Sequence, residues 1–162
     1  MLAFHTCKNT RPDPIYFIKY TRHLCSCWYN ATIKAYLLFN VGDFFMEYHA
    51  SCHCQAIQFT FQSSEVTAAL KCNCSICSRK NALMSLDYIE PQNFELIKGK
   101  QALSIYQWGD KDVNHYFCSN CGIYPFHDTI YEQGKFRINL CCVDELDTSS
   151  LKITYFDGKN NL

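Results

Sequence analysis

Apolar and polar residues alternate along several short segments of this chain. In "IQFTFQ" (57–62) the apolar residues occupy the first, third and fifth positions, with polar residues between them. Residues 135–142 and 151–156 show the same alternation, so that Phe136 and Ile138, for example, share one face. Because successive side chains of a β-strand point to opposite faces, this period of two predicts strands with one buried face.

Further strands are predicted between these segments. Residues 94–108 contain two apolar stretches around a Lys-Gly-Lys sequence at 98–100, which predicts a β-hairpin. The turn residues 109–112 lead into another predicted strand at 113–118. No segment shows sustained helical periodicity, and at most a short turn is expected near 144–146. Short strands at a spacing of roughly ten residues predict an all-β domain of the sandwich or barrel type.

The first 45 residues differ from the rest of the chain in charge and in pattern. They contain five basic and two acidic residues, whereas residues 46–162 contain ten basic and thirteen acidic residues. Orderly strand patterns begin only near Met46, a residue that can itself initiate translation. We therefore expect residues 1–45 to be a poorly ordered extension with a mis-assigned start, and residues 46–162 to form the domain. The alternative is a real N-terminal element in which Cys25 and Cys27 provide a further ligand pair.

Composition describes a foldable globular chain and argues against two classes of partner. Apolar residues make up 48% of the sequence and aromatic residues 15%, unlike the composition of disordered chains. Basic and acidic residues number 15 each, so no net positive charge is available to attract a nucleic-acid backbone. The longest candidate for a membrane span, residues 35–41, is shorter than the roughly 18 residues required and lacks a signal-cleavage pattern. We expect neither nucleic acid nor a membrane among the partners.

Cysteine is the most unusual component, with twelve residues in a chain of 162. Such a count arises from disulfide frameworks in oxidising compartments or from thiolate metal sites in reducing ones. Cys72 and Cys74 are separated by one residue, and the geometry of a disulfide disfavours a bond between them. C-x-C and C-x-x-C pairs instead direct two thiolates at one tetrahedral cation. The spacing therefore predicts metal ligands in a cytoplasmic, reduced protein.

Seven cysteines fall into three groups with metal-ligand spacing, namely Cys52-x-Cys54, Cys72-x-Cys74-x-x-Cys77 and Cys118-x-x-Cys121. A structural zinc takes four protein ligands, whereas a reactive zinc keeps three and an open position. The two-cysteine groups at 52/54 and 118/121 can complete one closed site between distant parts of the chain. The three-cysteine group at 72, 74 and 77, the trio, can hold a second zinc. The alternative is two closed sites without chemistry, in which the eighth ligand is one of five residues: His53, His115, His127, Cys141 or Cys142.

Three segments of the sequence resemble a known family: "ASCHCQAIQF", "CNCSICSRKNAL" and "FCSNCGIYPF". In this order and with these separations they are similar to the glutathione-dependent formaldehyde-activating enzyme family (the GFA domain), which includes centromere protein V-like proteins. The resemblance covers about residues 46–156 and implies an Mss4-like β-tent fold. Ala50, Gln55 and Asn81 stand where the family commonly has glycine. None of the three is a ligand, so the departures concern the shape of the substrate pocket.

The resemblance also implies two zinc ions and a thiol substrate. It implies a structural zinc on four matching positions: Cys52, Cys54, Cys118 and Cys121. It implies a second, catalytic zinc on three others: Cys72, Cys74 and Cys77. The implied substrate is a glutathione adduct, typically S-hydroxymethylglutathione formed with formaldehyde, and glutathione is the implied co-substrate. The implied reaction makes or breaks a carbon–sulfur bond.

Two cations that follow the cysteine trio are candidates for binding the substrate. Arg79 and Lys80 can steady zinc-bound thiolates and donate hydrogen bonds to substrate carboxylates. The alternative for both is a solvated surface pair. Arg137, on the polar face of its predicted strand, is a further candidate for substrate binding.

Other polar residues and thiols near the ligand groups have structural explanations. His53 is expected to face solvent or to lie beside the metal without binding it. His127 is expected to occupy a surface turn, and the alternative is that it reaches a pocket. His115 is expected in a strand, packed or exposed. Cys141 and Cys142 are expected on opposite faces of a strand, with Cys142 in the core. No role is predicted for Cys7, Cys25 or Cys27 beyond the alternative given above.

Three functions are compatible with these features. The first is a zinc-dependent carbon–sulfur lyase that acts on a small-molecule thiol or thiol adduct. The second is a non-catalytic zinc module of Mss4-like fold that binds another protein. The third is a zinc-ribbon-like nucleic-acid binder, which the zero net charge disfavours. An open coordination position at the trio distinguishes the first function from the second, because a binding module needs only closed sites.

Overall fold

The computed structural model describes residues 45–162. The predicted extension lies outside the described residues apart from Phe45, and so do its cysteines Cys7, Cys25 and Cys27. Strands are the main regular structure of the described residues, with only two short α-helices, which confirms the predicted all-β class. The ten strands are β1 Met46–Ser51, β2 Gln58–Ser63, β3 Ala68–Cys72, β4 Met84–Ser85, β5 Phe94–Lys98, β6 Leu103–Tyr106, β7 Val113–Cys118, β8 Phe126–Thr129, β9 Phe136–Ile138 and β10 Lys152–Phe156. Two short helices are α1 Ser75–Lys80 and α2 Gly158–Asn161.

The strands are arranged in three small sheets. The first has the order β1-β2-β5 and is antiparallel throughout. The second has the order β10-β3-β4, in which β10 runs parallel to β3 and β4 antiparallel to it. The third contains four consecutive antiparallel strands in the order β6-β7-β8-β9. The parallel pair brings the end of β10 beside Cys72, the last residue of β3.

The predicted hairpin at residues 94–108 is wrong. Both halves are strands, but β5 pairs with β2 and β6 pairs with β7, so the chain changes sheets between them. Gly99 makes this change possible, since it has a φ of 98° and a Cβ there would lie 2.2 Å from the carbonyl oxygen of Ala56. Only glycine allows so close a backbone approach in the left-handed region. Alternation of residue types does not show which partner a strand will take.

The two helices also differ from the sequence prediction, which expected none. Both are shorter than the window in which helical periodicity becomes visible. Asn81 ends α1 in the left-handed conformation, with a φ of 50°, and its N–H donates to the carbonyl oxygen of Cys77 at 2.8 Å. Asparagine suits this position, because it tolerates the left-handed region better than most residues. No helix among the described residues has the length and apolar content needed to cross a membrane.

The C-terminal alternations are only partly realised. The strand predicted over residues 135–142 ends at Ile138, and residues 140–142 form a 3-10 turn in which the Asn139 side chain accepts a hydrogen bond from the Cys141 backbone. Tyr155 of β10 lies four residues after the buried Leu151, so strict alternation would place it on the buried face. It is instead 77% exposed. Side-chain capping by Asn139 competes with strand geometry and ends the strand early.

The core lies between the first and third sheets. The alternating residues of β2 are almost fully buried, with Phe59 and Phe61 each 1% exposed. The ring of Phe59 packs edge-on against Phe126 of β8, with 5.1 Å between ring centroids. Phe94 of β5 lies at the same distance from Phe126. Such aromatic contacts add to the free energy gained by burying the rings and join sheets that share no strand.

Shortening the fully buried Ile138 by one methyl group, as Ile138→Val, is expected to lower the free energy of unfolding by about 0.5–1.5 kcal/mol. Ile138 is 0% exposed, so the removed methyl leaves a void that the core cannot fill completely. The matched control is Ile97→Val on β5, where the side chain is 54% exposed and the change should stay within about 0.5 kcal/mol. Chemical denaturation of both variants would measure the difference, and equal effects would contradict the assigned core.

Candidate metal centres and the adjoining cavity

Four cysteines gather where β1 and β7 end, and we refer to Cys52, Cys54, Cys118 and Cys121 as the four-cysteine cluster. Their Sγ atoms all lie within 4.8 Å of one another. The Sγ of Cys54 lies 3.6 Å from that of Cys52 and 3.7 Å from that of Cys118. A tetrahedral zinc with Zn–S bonds of about 2.3 Å holds its sulfurs about 3.8 Å apart. The donor set and its spacing therefore fit one closed four-thiolate metal site.

The backbone around the four-cysteine cluster favours thiolates. The N–H of Ile57 donates to the Sγ of Cys52 at 3.3 Å. Hydrogen bonding from the backbone at Cys54 lowers the pKa of the Cys121 thiol to about 6. Gly122 closes the turn after Cys121 with a φ of 74°, a conformation that glycine adopts without strain. These turns direct the thiols at one point before any ion binds, which reduces the conformational entropy lost on binding.

Three further cysteines meet at the end of β3, and we refer to Cys72, Cys74 and Cys77 as the cysteine trio. Cys72 ends β3, Cys74 precedes α1, and Cys77 lies three residues further on the same helix face. Their Sγ atoms lie within 4.8 Å of one another, and residues 45–162 provide no fourth cysteine, histidine or carboxylate ligand at that spacing. Burial, with a hydrogen bond from Cys74, raises the pKa of the Cys77 thiol to about 12. Three sulfurs this close together are suited to bind one divalent cation, which would replace the protons of the thiols.

The C-terminal segment packs directly against the cysteine trio. Asn73, between the first two thiols, donates from Nδ2 to the Oδ1 of Asp157 at 2.8 Å and accepts at Oδ1 from the Lys159 N–H at 2.9 Å. A Cβ added to Gly158 would lie 2.6 Å from the Sγ of Cys72. The reciprocal hydrogen bonds and the absent side chain at Gly158 together allow α2 to cover one side of the trio.

Adding a methyl group at this position, as Gly158→Ala, is expected to weaken metal binding by the cysteine trio about 10- to 100-fold, the loss typical of disturbed ligand orientation. The new Cβ must displace the Cys72 thiol, because 2.6 Å is too short for a carbon and a sulfur that are not bonded to each other. Competition between a chromogenic chelator and the cobalt-loaded protein would measure the affinity. Lys159→Ala, in the same helix and exposed, is the control. Equal affinities in the two variants would contradict the close packing of α2 on the trio.

A cavity of about 420 Å³ opens beside the cysteine trio. Its volume lies within the range of about 300–1,000 Å³ that is usual for small-molecule sites. All three trio cysteines line it, together with apolar and aromatic side chains that include Trp108 and Phe156. Its basic side chains, all of which contain nitrogen, are Lys80, His115, His127 and Arg137. No aspartate or glutamate of the described residues lines this cavity.

Three of these nitrogen-bearing side chains form a row across the third sheet. His115 of β7 pairs with His127 of β8, and His127 pairs with Arg137 of β9. Directly paired residues of antiparallel strands project from the same face, so the three side chains point into the cavity together. The sequence favoured a surface turn for His127, whereas it is a half-buried strand residue that lines the cavity. The signal that could have found this row is the presence of one basic residue in each of three consecutive strands, at positions that pair with one another.

A hydrogen-bonded cluster connects this row to α1. The Nζ of Lys80 lies 3.1 Å from the Nδ1 of His115 and 3.7 Å from the centre of the Tyr124 ring. The Tyr124 hydroxyl lies 3.2 Å from the Nδ1 of His115 and 2.6 Å from the Nδ1 of His127, and its proton can be donated to only one of them at a time. Burial lowers the pKa of Lys80 to about 8, against the attraction of the trio thiols. The cluster therefore holds a lysine whose amine gives up its proton more readily than that of an exposed lysine.

The remaining candidates of the sequence analysis lie elsewhere. Arg79 is exposed, its guanidinium donates to the carbonyl oxygen of Ser75, and it does not line the cavity of the trio. His53 is exposed and outside both cysteine groups. Cys142 is 7% exposed and belongs to the core, as predicted, while Cys141 is exposed. Of the two predicted substrate-binding cations, the fold turns only Lys80 toward the cavity.

The imidazole of His115 is expected to remain neutral down to about pH 4. Burial, followed by the nearby charge of Lys80, lowers its pKa from 6.5 to about 4. In the unfolded chain, His115 takes up a proton near pH 6.5. The contribution of its neutral, folded form to the free energy of unfolding is therefore complete above that pH and is lost as the pH falls toward 4. Nitrogen-15 NMR of the imidazole would measure the midpoint. Lys80→Met should raise the midpoint, and a wild-type midpoint near 6.5 would contradict the burial of this residue.

Comparison with known proteins agrees with this architecture. Residues 47–157 match the family described as glutathione-dependent formaldehyde-activating enzyme. A crystal structure of a Rhodobacter sphaeroides protein, a structural-genomics target, is similar in fold with a TM-score of 0.58 and 24% sequence identity, covering 67% of this chain and 100% of that one. At this identity the likeness concerns the fold alone, and the domain is of the Mss4-like type. Because the family match extends over most of the chain, this protein belongs to the glutathione-dependent formaldehyde-activating enzyme (GFA) family.

Proposed function

We propose that this protein is a zinc-dependent carbon–sulfur lyase acting on glutathione or related thiol adducts, with chemistry of the S-hydroxymethylglutathione type. The observation that carries the proposal is the cysteine trio, whose three thiols face a cavity and have no fourth protein ligand among the described residues. A metal held in this way keeps one position for a ligand from solution. Membership of the family supports glutathione and formaldehyde as the chemical class.

The two cysteine groups would have different roles in this function. The four-cysteine cluster would hold a structural zinc that joins the end of β1 to the end of β7, two strands in different sheets. The cysteine trio would hold a second zinc beside the cavity. When bound there, zinc supplies Lewis acidity and an affinity for thiolate sulfur. The trio leaves one negative charge after binding a divalent ion, and Lys80, which lines the same cavity, is a cation that its thiols attract.

Cleavage of a hydroxymethyl thioether requires one proton to be moved. The carbon–sulfur bond breaks with its electron pair going to sulfur, and the hydroxyl group loses its proton as it becomes the carbonyl of formaldehyde. Lys80 is suited to accept this proton at Nζ and later return it to the released thiolate, because burial brings its pKa to about 8. The neutral His115 accepts a hydrogen bond from the protonated amine and so orients it.

Magnetisation-exchange NMR with carbon-13 formaldehyde and glutathione tests the proposal. The expected result is a faster exchange between free formaldehyde and its glutathione adduct with the zinc-loaded full chain than in buffer alone. Metal analysis of the same sample should give two zinc ions per chain. Unchanged exchange rates in a sample that carries both metals would refute the lyase function, since the adduct also forms and breaks without catalysis.

A protein-interaction module is the second candidate, and exposed apolar residues favour it. Ile97 of β5 and Ile105 of β6 are 54% and 55% exposed, and both border one open hollow at the junction of their sheets. Surface apolar residues that lie together are typical of protein contacts. The same exchange experiment separates the two functions, because a binding module would leave the rates unchanged.

A further inference from the structure

Arg137 is a cation on the cavity wall that takes no part in the hydrogen-bonded cluster around Tyr124. Its Nε is buried and has no hydrogen-bond partner among the described residues. No carboxylate of residues 45–162 forms an ion pair with its guanidinium. A buried charged donor without a partner is costly, and proteins rarely keep one unless a ligand completes it. The missing partner is therefore expected to come from outside the described chain.

The charges around the cavity indicate the sign of that partner. Lys80 interacts with the trio thiols and with His115, so its charge is already engaged. Burial keeps His127, the strand neighbour of Arg137, neutral by holding its pKa well below the usual value. With no acidic side chain on the wall, the guanidinium is a positive charge without a counterion. An anionic group on the ligand would satisfy it.

The surroundings of Arg137 also hold the guanidinium in place. The ring of Tyr88 lies beneath its central carbon, with 4.1 Å between that carbon and the ring centre. Stacking on an aromatic face fixes the plane of the guanidinium and leaves its N–H edge for a planar partner. A carboxylate is the common planar anion that accepts two parallel hydrogen bonds from arginine.

From this geometry we propose that Arg137 is the residue that binds a substrate carboxylate, so that the cavity selects thiols carrying a carboxylate over neutral thiols. The proposal rests on the proposed function, in which the substrate sulfur lies at the cysteine trio. Arg137 binds and orients one end of the ligand while the other end meets the trio, and the cavity of about 420 Å³ contains both groups. Arg79, the other arginine of the described chain, faces solvent and does not take this role.

Cobalt-loaded full-length protein provides a direct test with two small probes. 3-Mercaptopropionate carries a thiol and a carboxylate, and 2-mercaptoethanol is a neutral thiol of similar size. Binding of either sulfur to cobalt changes the visible absorption spectrum, so titrations give two dissociation constants for each variant. The variants are Arg137→Gln, Arg137→Lys and the control Lys152→Gln, which removes one exposed cation that does not line the cavity.

Wild type and Lys152→Gln are expected to prefer 3-mercaptopropionate by tenfold or more, the effect of about one hydrogen bond to a charged group. Arg137→Gln should lose the preference but bind 2-mercaptoethanol as before, which also shows that its metal site is intact. Arg137→Lys should keep a smaller preference, because it retains the charge without the planar fork. If Arg137→Gln does not fold, the thiol preference of Arg137→Lys, compared with that of wild type, tests the inference.

Two results would overturn the inference in different ways. Equal affinity of wild type for both thiols, or an undiminished preference in both Arg137 variants, would remove Arg137 from carboxylate binding and leave the proposed function standing. No spectral change with either thiol would show that the trio does not accept sulfur from solution. In that case the proposed function and the inference that rests on it would both fail.

Discussion

Replacement of Cys118 by serine is expected to remove the metal from the four-cysteine cluster and to lower the free energy of unfolding by more than about 4 kcal/mol. Cys118 is 0% exposed at the end of β7, and its thiol lies 3.7 Å from that of Cys54, which follows β1. Loss of this ligand would leave three sulfurs and would remove the metal link between two sheets that share no strand. Zinc analysis and chemical denaturation would measure both effects.

The matched control for this variant is Cys141→Ser. Cys141 is an exposed thiol outside both cysteine groups, so its replacement should change the free energy of unfolding by no more than about 0.5 kcal/mol. A Cys118→Ser protein that keeps its metal content and stability would contradict a structural role for the cluster. The same conclusion would follow if both serine variants lost equal stability.

Replacement of Cys77 by serine is expected to leave the fold intact and to reduce catalysed exchange of the glutathione adduct by more than about 100-fold. Even residues that only orient metal ligands cost about 10- to 100-fold when they are changed, and a lost ligand should cost more. The fold should survive because Cys77 is partly exposed on α1 and contributes nothing to the buried core. The zinc content should fall by one ion per chain.

Ser78→Ala is the control for the cysteine trio, because Ser78 is the next residue of α1 and its exposed hydroxyl donates only to the carbonyl of Ser75. It should retain both metals and the full exchange rate. If Cys77→Ser retained activity with one metal fewer, catalysis would not depend on the trio. If it lost both metals, the two centres would not be independent of each other.

The cavity-facing residues show why part of the site could not be predicted. Arg79 and Lys80 are adjacent in sequence and chemically alike, yet α1 exposes the first and turns the second toward His115. Which side of a short helix is buried depends on what packs against it, and here the contacts come from β7 and from Tyr124, 35 and 44 residues further along. No local pattern around residue 80 carries that information.

Strand alternation was sufficient to indicate an all-β domain, and the local spacing of the seven cysteines was sufficient to suggest the groups that the fold brings together. Both are short-range properties, since side-chain direction in a strand and ligand pairs in a tight turn depend on a few neighbouring residues. Long-range packing alone settled the partners of β5 and β6 and the alignment of His115, His127 and Arg137 in one row. Strand register between distant segments is set by the burial of a shared core, and the chemistry of the cavity wall follows from that register.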